Sequence, residues 1–115
     1  MGAPPAGTVV LVPFPFSDLS RAKLRPAIVL AVVAHDDLLL CQVTSNPYGD
    51  PLAIPIGASD FHDGGLQRDS FARPGKVFTA GSALLVASVG TLGAVKHREI
   101  IRAVVALLTA GAPNA

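Results

Sequence analysis

From Pro26 to Ala34 the chain is apolar without a break, the longest such stretch in its 115 residues. A β-branched run of this kind, opened by a proline and closed by a turn, fits a strand covered on both faces better than one with a wet side. Such a strand has to lie inside a sheet, with material above and below it. The run is also only about half of the roughly 18 residues that a membrane-spanning helix needs, so no transmembrane helix is expected.

The neighbouring segments supply partners for that strand. Thr8 to Val12 is a second β-branched run. Pro13 and Pro15 cannot donate to a ladder, so this strand is expected to stop there and give way to a long loop from Phe14 to Leu24. His35, Asp36 and Asp37 form a turn, and Leu38 to Thr44 returns as the antiparallel partner of Pro26–Val33. A turn-rich stretch from Ser45 to Pro51 follows, then a short strand at Leu52–Ile56. Asp63-Gly64-Gly65 reads as another turn, and Ser70–Arg73 and Lys76–Thr79 as two short strands around a Pro74-Gly75 break. From Ala94 to about Ala110 the period changes: Ile100, Val104, Leu107 and Leu108 recur at helical spacing, and Ile101 and Val105 add a second apolar row. A helix so apolar either sits deep in the core or meets a second subunit. Several short strands followed by one helix point to a small, strongly bent sheet or barrel, a single domain over residues 1–115.

Composition removes several function classes. Half the residues are apolar, and nine Lys and Arg face eight Asp and Glu for a net charge of +1, so bulk attraction to a polyanion or a membrane is not expected. Any polyanion has to be held locally. The one cysteine, Cys41, lies inside an apolar strand and reads as an inert small hydrophobe. The N-terminus carries no basic residue before its first hydrophobic run and does not read as a signal peptide, so a soluble, cytoplasmic protein is expected. His35, His62 and His97 show no ligand pairing beyond a weak cluster of His62 with Asp60 and Asp63, and no phosphate-binding glycine loop, GxSxG or HExxH is present.

Arginine and hydroxyl chemistry is what remains. Arg25 precedes Pro26 at the entrance to the buried strand, where the proline holds its backbone extended. Thr44 closes the partner strand. With the turn at residues 34–37, positions 25 and 44 fall at the same far end of the hairpin. Each residue also has a plainer reading, as a surface charge and as a β-former.

At these residues the chain resembles the MazF/PemK family of type II toxin–antitoxin toxins, closest to its PemK-like branch. The segments that carry the resemblance are Gly7-Thr8-Val9-Val10-Leu11-Val12-Pro13-Phe14-Pro15-Phe16-Ser17-Asp18, Lys23-Leu24-Arg25-Pro26-Ala27-Ile28-Val29-Leu30 and Cys41-Gln42-Val43-Thr44-Ser45-Asn46. Gly65-Leu66, Ser70, Arg73-Pro74-Gly75-Lys76 and Val89-Gly90-Thr91-Leu92 continue it. The resemblance implies a mainly β fold, a small SH3-like barrel of the MazF/PemK/CcdB type with a C-terminal helix, and a homodimer. It further implies cleavage of single-stranded RNA without a metal or other cofactor, by 2′-hydroxyl attack that leaves a 2′,3′-cyclic phosphate and a 5′-hydroxyl. A cognate antitoxin would neutralise this activity. Arg25 matches the family's catalytic arginine and Thr44 its catalytic threonine. Gyrase-type poisoning on the same barrel, or an inactive family member, are the alternatives.

The residue types suit that chemistry, since a guanidinium fork and a hydroxyl can donate to the charge that builds on the phosphate oxygens. Guanidinium stays protonated, so Arg25 is assigned to phosphate clamping and leaving-group protonation, and no general base is identified. Ser45 is either a further donor or a turn cap. Phe14 and Phe16 either stack on bases or pack their loop onto the barrel. Arg73 and Lys76 either line the phosphate path or form a solvated face.

Overall fold

The computed structural model describes residues 3–15 and 22–112. Seven strands form one antiparallel sheet: β1 (Thr8–Pro15), β2 (Ala22–Val32), β3 (Asp37–Thr44), β4 (Ile54–Ile56), β5 (Phe61–Gly64), β6 (Ser70–Gly81) and β7 (Ala87–Leu92), in the order β4-β6-β3-β2-β1-β7-β5. One helix, α1 (Ala94–Ala110), follows.

The apolar run occupies β2, the central strand. Because side chains alternate across a strand, Ile28 and Leu30 join Val9, Cys41, Val43, Ile100 and Val104 in one core, while Ala27 and Val29 join Val10, Val12, Leu38 and Leu40 in the other. Burial on both faces therefore holds from Ala27 to Leu30, but Ala31, Val32 and Val33 are exposed near the hairpin tip. The tip itself is tight. Asp37 N–H donates to the Ala34 carbonyl at 3.0 Å across His35 and Asp36, whose φ angles are 57° and 64°, the two left-handed residues of a type I′ turn. The sheet curls strongly enough that β4, at one edge, and Phe61 of β5, at the other, both contribute to the core that α1 covers.

The prolines do not end the strands. β1 runs on to Pro15 and β2 begins at Ala22, with Pro13 opposite Leu24 and Leu11 opposite Pro26. The Leu11 carbonyl accepts from Val86, so the polar groups of Leu11, and by alternation of residues 13 and 15, face the β7 side, where the pairing of β7 with β1 has ended at Ala87. Pro26 likewise turns its missing N–H toward β3 just beyond the last pair, Ala27 with Gln42. Each proline stands where no ladder donor is needed. The expected loop from Phe14 to Leu24 is thus shorter at both ends, and residues 16–21 lie outside the described residues.

Ser70–Arg73 and Lys76–Thr79 are one strand rather than two. The register of β3 with β6 shifts between Cys41–Val77 and Val43–Ala72, and Pro74-Gly75 sits in that bulge. Asp63 and Gly64, expected as a turn, belong to edge strand β5 and pair with Thr91 and Gly90 of β7.

The helix buries one stripe only. Ile100 and Val104 are buried and Ile101 and Ala103 pack against the same core, whereas Val95 and Leu108 are 78% and 76% exposed. Deep burial of α1 is excluded within one chain. Its N-terminus at Gly93 has no side-chain cap, and Gly111, at φ 78°, closes the other end through its N–H to the Leu107 carbonyl.

His97 makes a separate prediction. Its Nδ1 is buried against Gly7 with no hydrogen-bond partner, and burial holds its pKa below the ordinary value of 6.5. The neutral ring is the form that the fold accommodates. Stability is complete above about pH 6.5 and falls as the pH drops from there through the folded-state pKa, because the unfolded chain then binds the extra proton. Urea unfolding at pH 7.5 and 5.5 should show a loss in the wild type that is smaller in His97→Gln.

Candidate active site

Arg25 is the fourth residue of β2 and lies opposite Val12 of β1. Extending the register beyond Ala27–Gln42 places position 25 beside position 44, at the end of β3. Both residues line one open groove of about 680 Å³, with Leu11, Leu24, Pro26, Val43 and Ser45 on the same side and Gly65, Leu66, Gln67, Arg68, Ser70 and Val89 completing its walls. The convergence expected from the hairpin is present.

Among the described residues, the groove lining carries positive charge only. Two arginines, Arg25 and Arg68, and three hydroxyls, Thr44, Ser45 and Ser70, line it, and no Asp or Glu does among the described residues. A protein whose net charge is only +1 thus holds a local site fit for an anion. Arg68 and Gln67 stand in the groove wall without having been singled out from the sequence. Arg68, Arg73 and Lys76 lie close together in the sequence, which does not tell which of them faces the groove.

The hydroxyls differ in what they already do. Thr44 is 4% exposed, and its Oγ1 accepts the Asn46 N–H at 3.1 Å and donates to the Asn46 carbonyl at 3.0 Å. Ser70 Oγ donates to the Arg68 carbonyl at 3.0 Å and so ties the opposite wall. Ser45 is exposed at the groove. The turn bond that a serine at this place would be expected to make is made by Thr44.

Arg73 and Lys76 are not in the groove wall. Arg73 Nε donates to Asp50 Oδ2 at 2.9 Å, with both side chains largely buried, and its guanidinium lies 5.7 Å from the centre of the Tyr48 ring. Burial works to raise the Asp50 pKa, but the Arg73 hydrogen bond, the Leu52 N–H and the charges of Arg73 and Lys76 outweigh it and hold the carboxyl below its ordinary 3.8. Phe16 and the Phe14 side chain lie outside the described residues.

Cys41 stays out of the chemistry. Burial pushes its thiol up to about 11, and Sγ donates to the Arg73 carbonyl at 3.2 Å. Among the described residues no three His, Cys, Asp or Glu side chains converge on a point, and no helix is long and apolar enough to cross a membrane.

Residues 6–108 match the family described as PemK-like, MazF-like toxin of type II toxin-antitoxin system. The chain belongs to this family. Solved structures agree on the fold. The chain is similar to MazF in a MazE-MazF crystal structure from Deinococcus radiodurans at TM-score 0.75, with 20% identity over 95% of this chain and 98% of that one. An endoribonuclease from Mycobacterial species superposes at TM-score 0.67, with 18% identity over 100% and 98%. An endoribonuclease in complex with its cognate antitoxin, also from Mycobacterial species, gives 0.67 and 16% over the full length of both chains. No curated protein matches the chain in sequence. The curled sheet with its C-terminal helix is therefore the MazF-like fold.

Proposed function

We propose that this toxin is an endoribonuclease that cuts single-stranded RNA at the groove between Arg25 and Arg68. The observation that carries the reading is the groove itself, which brings two guanidinium groups and three hydroxyls together. A scissile phosphate seated against Arg25 receives a two-pronged donor, and the exposed Ser45 hydroxyl adds a third. Attack by the adjacent 2′-oxygen raises the charge on the nonbridging oxygens, and donors fixed in place before the reaction lower the barrier to it. The products are a 2′,3′-cyclic phosphate and a 5′-hydroxyl. No metal is needed to balance that charge, because the arginines supply it.

Arg25 clamps the phosphate and protonates the departing 5′-oxygen, and the proton released by the attacking 2′-hydroxyl returns through solvent to the guanidine, so the reaction is proton-neutral. Thr44 holds the end of β3 through Asn46, which fixes where Ser45 and its own hydroxyl present themselves. Arg68 closes the opposite wall against the flanking backbone. The Arg73–Asp50 pair steadies the loop between β3 and β4, and Lys76 extends the positive field outside the groove. Two such chains associate through the apolar row of α1 that one chain leaves exposed, Val95, Val105 and Leu108. The solved structures of MazE-MazF and of an endoribonuclease with its cognate antitoxin support neutralisation by a cognate antitoxin.

The deciding experiment is incubation of the pure protein with single-stranded RNA in EDTA, followed by analysis of the new ends. Cyclic phosphate and 5′-hydroxyl termini are expected; intact RNA, with arrest of DNA supercoiling instead, would move the protein to the gyrase-poison class. Thr44 and Ser45 separate by stability. Thr44→Val leaves the Asn46 N–H without its partner and should cost about 1 kcal/mol in urea unfolding as well as activity. Ser45→Ala removes one hydrogen bond to a charged group, worth about 1.5 kcal/mol, and should lower cleavage about tenfold while leaving the unfolding midpoint where it was.

A further inference from the structure

The loop between β3 and β4 holds the chain's single tyrosine in an unusual way. Tyr48 has a left-handed backbone, φ 55°, which bulky residues seldom adopt. Its N–H donates to Asn46 Oδ1 at 3.0 Å, and the next turn is closed by Asp50 N–H on the Pro47 carbonyl at 2.9 Å. One face of the ring is backed by the Arg73 guanidinium, which is itself locked by Asp50. The residue nevertheless remains 63% exposed, so the face away from Arg73 is open to solvent. A ring kept rigid from behind and bare in front contributes little to either core. It is prepared for a flat partner.

Its position says which one. Tyr48 is three residues from Ser45 and so within about 11 Å of the groove by chain reach. Building on the RNA-cleaving reading above, we infer that Tyr48 is a nucleobase platform. A base next to the cut phosphate stacks on the open face of the ring, with Arg73 supporting the opposite face. A base adds a π-face whatever its identity, so this contact supplies affinity and positioning more than sequence choice. The pairing of Arg73 with Asp50 thereby acquires a functional consequence: Arg73 is a positioning residue for the platform.

The chain contains no tryptophan, so its intrinsic emission reports Tyr48 alone. The test titrates the full-length protein with a 2′-O-methylated single-stranded RNA of mixed sequence, which cannot be cut by 2′-attack. Tyrosine emission is followed with N-acetyltyrosinamide as the inner-filter control, and binding is followed independently by anisotropy of a labelled copy. Quenching that saturates with binding is expected, together with unchanged affinity in Tyr48→Phe and a loss of about 5- to 100-fold in Tyr48→Ala. Unchanged emission at saturation, Tyr48→Ala binding as tightly as wild type, or no binding at all would overturn the platform. Unmodified RNA in parallel separates the two readings: cutting without quenching rejects the platform and keeps the ribonuclease, whereas quenching without cutting does the reverse.

Discussion

Arg25→Ala is expected to slow RNA cleavage by at least 10²- to 10³-fold while leaving the urea midpoint close to that of the wild type. The first half rests on what a fixed donor aimed at developing charge contributes, which for a single lost donor is of that order. The second rests on where the side chain sits. Arg25 belongs to neither hydrophobic core and stands partly exposed in the groove wall, whereas its backbone is held by the β1 ladder opposite Val12 whatever the side chain. Arg25→Lys adds a control. An ammonium keeps the charge but not the planar two-pronged donor, so it should restore only part of the lost rate. Single-turnover cleavage of one RNA substrate by the three proteins gives the comparison, and wild-type rates in Arg25→Ala would remove this residue from the site.

The pH dependence should be just as informative. A step in the rate profile reports a group that exchanges a proton during the reaction. Acid instability from His97 begins near pH 6.5 and has to be measured alongside, so that unfolding is not taken for chemistry.

The parts of the fold legible in the sequence are those with a local cause. The two-sided burial of Ala27 to Leu30 follows from an unbroken apolar run, the hairpin tip from three polar residues between two such runs, and α1 from a change of period. Because the hairpin joins Arg25 to Thr44 through one short turn, the meeting of these two residues in one groove was legible too. What was hidden depends on partners distant in the chain. Pro13 and Pro15 look like strand breakers until one knows that the neighbouring strand has already ended on the side where each lacks its N–H. Arg73 could not be separated from Arg68 without Asp50, twenty-three residues away, which draws Arg73 out of the groove. The far wall, Gly65 to Arg68, owes its place to the pairing of β5 with β7, and neither strand has the apolar alternation that would announce it.

That far wall gives the second large effect. Gly64→Ala should destabilise the protein by about 2–5 kcal/mol. Gly64 has φ 65°, a region that costs a non-glycine residue about 1–2 kcal/mol. A Cβ there would also fall 2.2 Å from the Val89 carbonyl oxygen and 2.6 Å from Gly90 Cα, both backbone atoms that no rotamer change can move. Relief requires β5 and β7 to part, at the further 1–3 kcal/mol that overpacking commonly costs. Gly90 is fixed from the other side, since a Cβ on it would lie 2.8 Å from both the Asp63 oxygen and the Gly65 nitrogen. The two glycines are one contact, and Gly65 N–H donating to Val89 O at 3.0 Å is the bond that carries it into the groove. Gly65→Ala is the internal control, because a Cβ at that position meets nothing within 4 Å and should leave the unfolding midpoint almost unchanged. If β5 is what holds Arg68 across from Arg25, Gly64→Ala has to lose RNA cleavage even in the fraction of molecules that remains folded. Equal specific activity per folded molecule in Gly64→Ala and wild type would show that Arg25 and its neighbours on the hairpin act without the opposite wall.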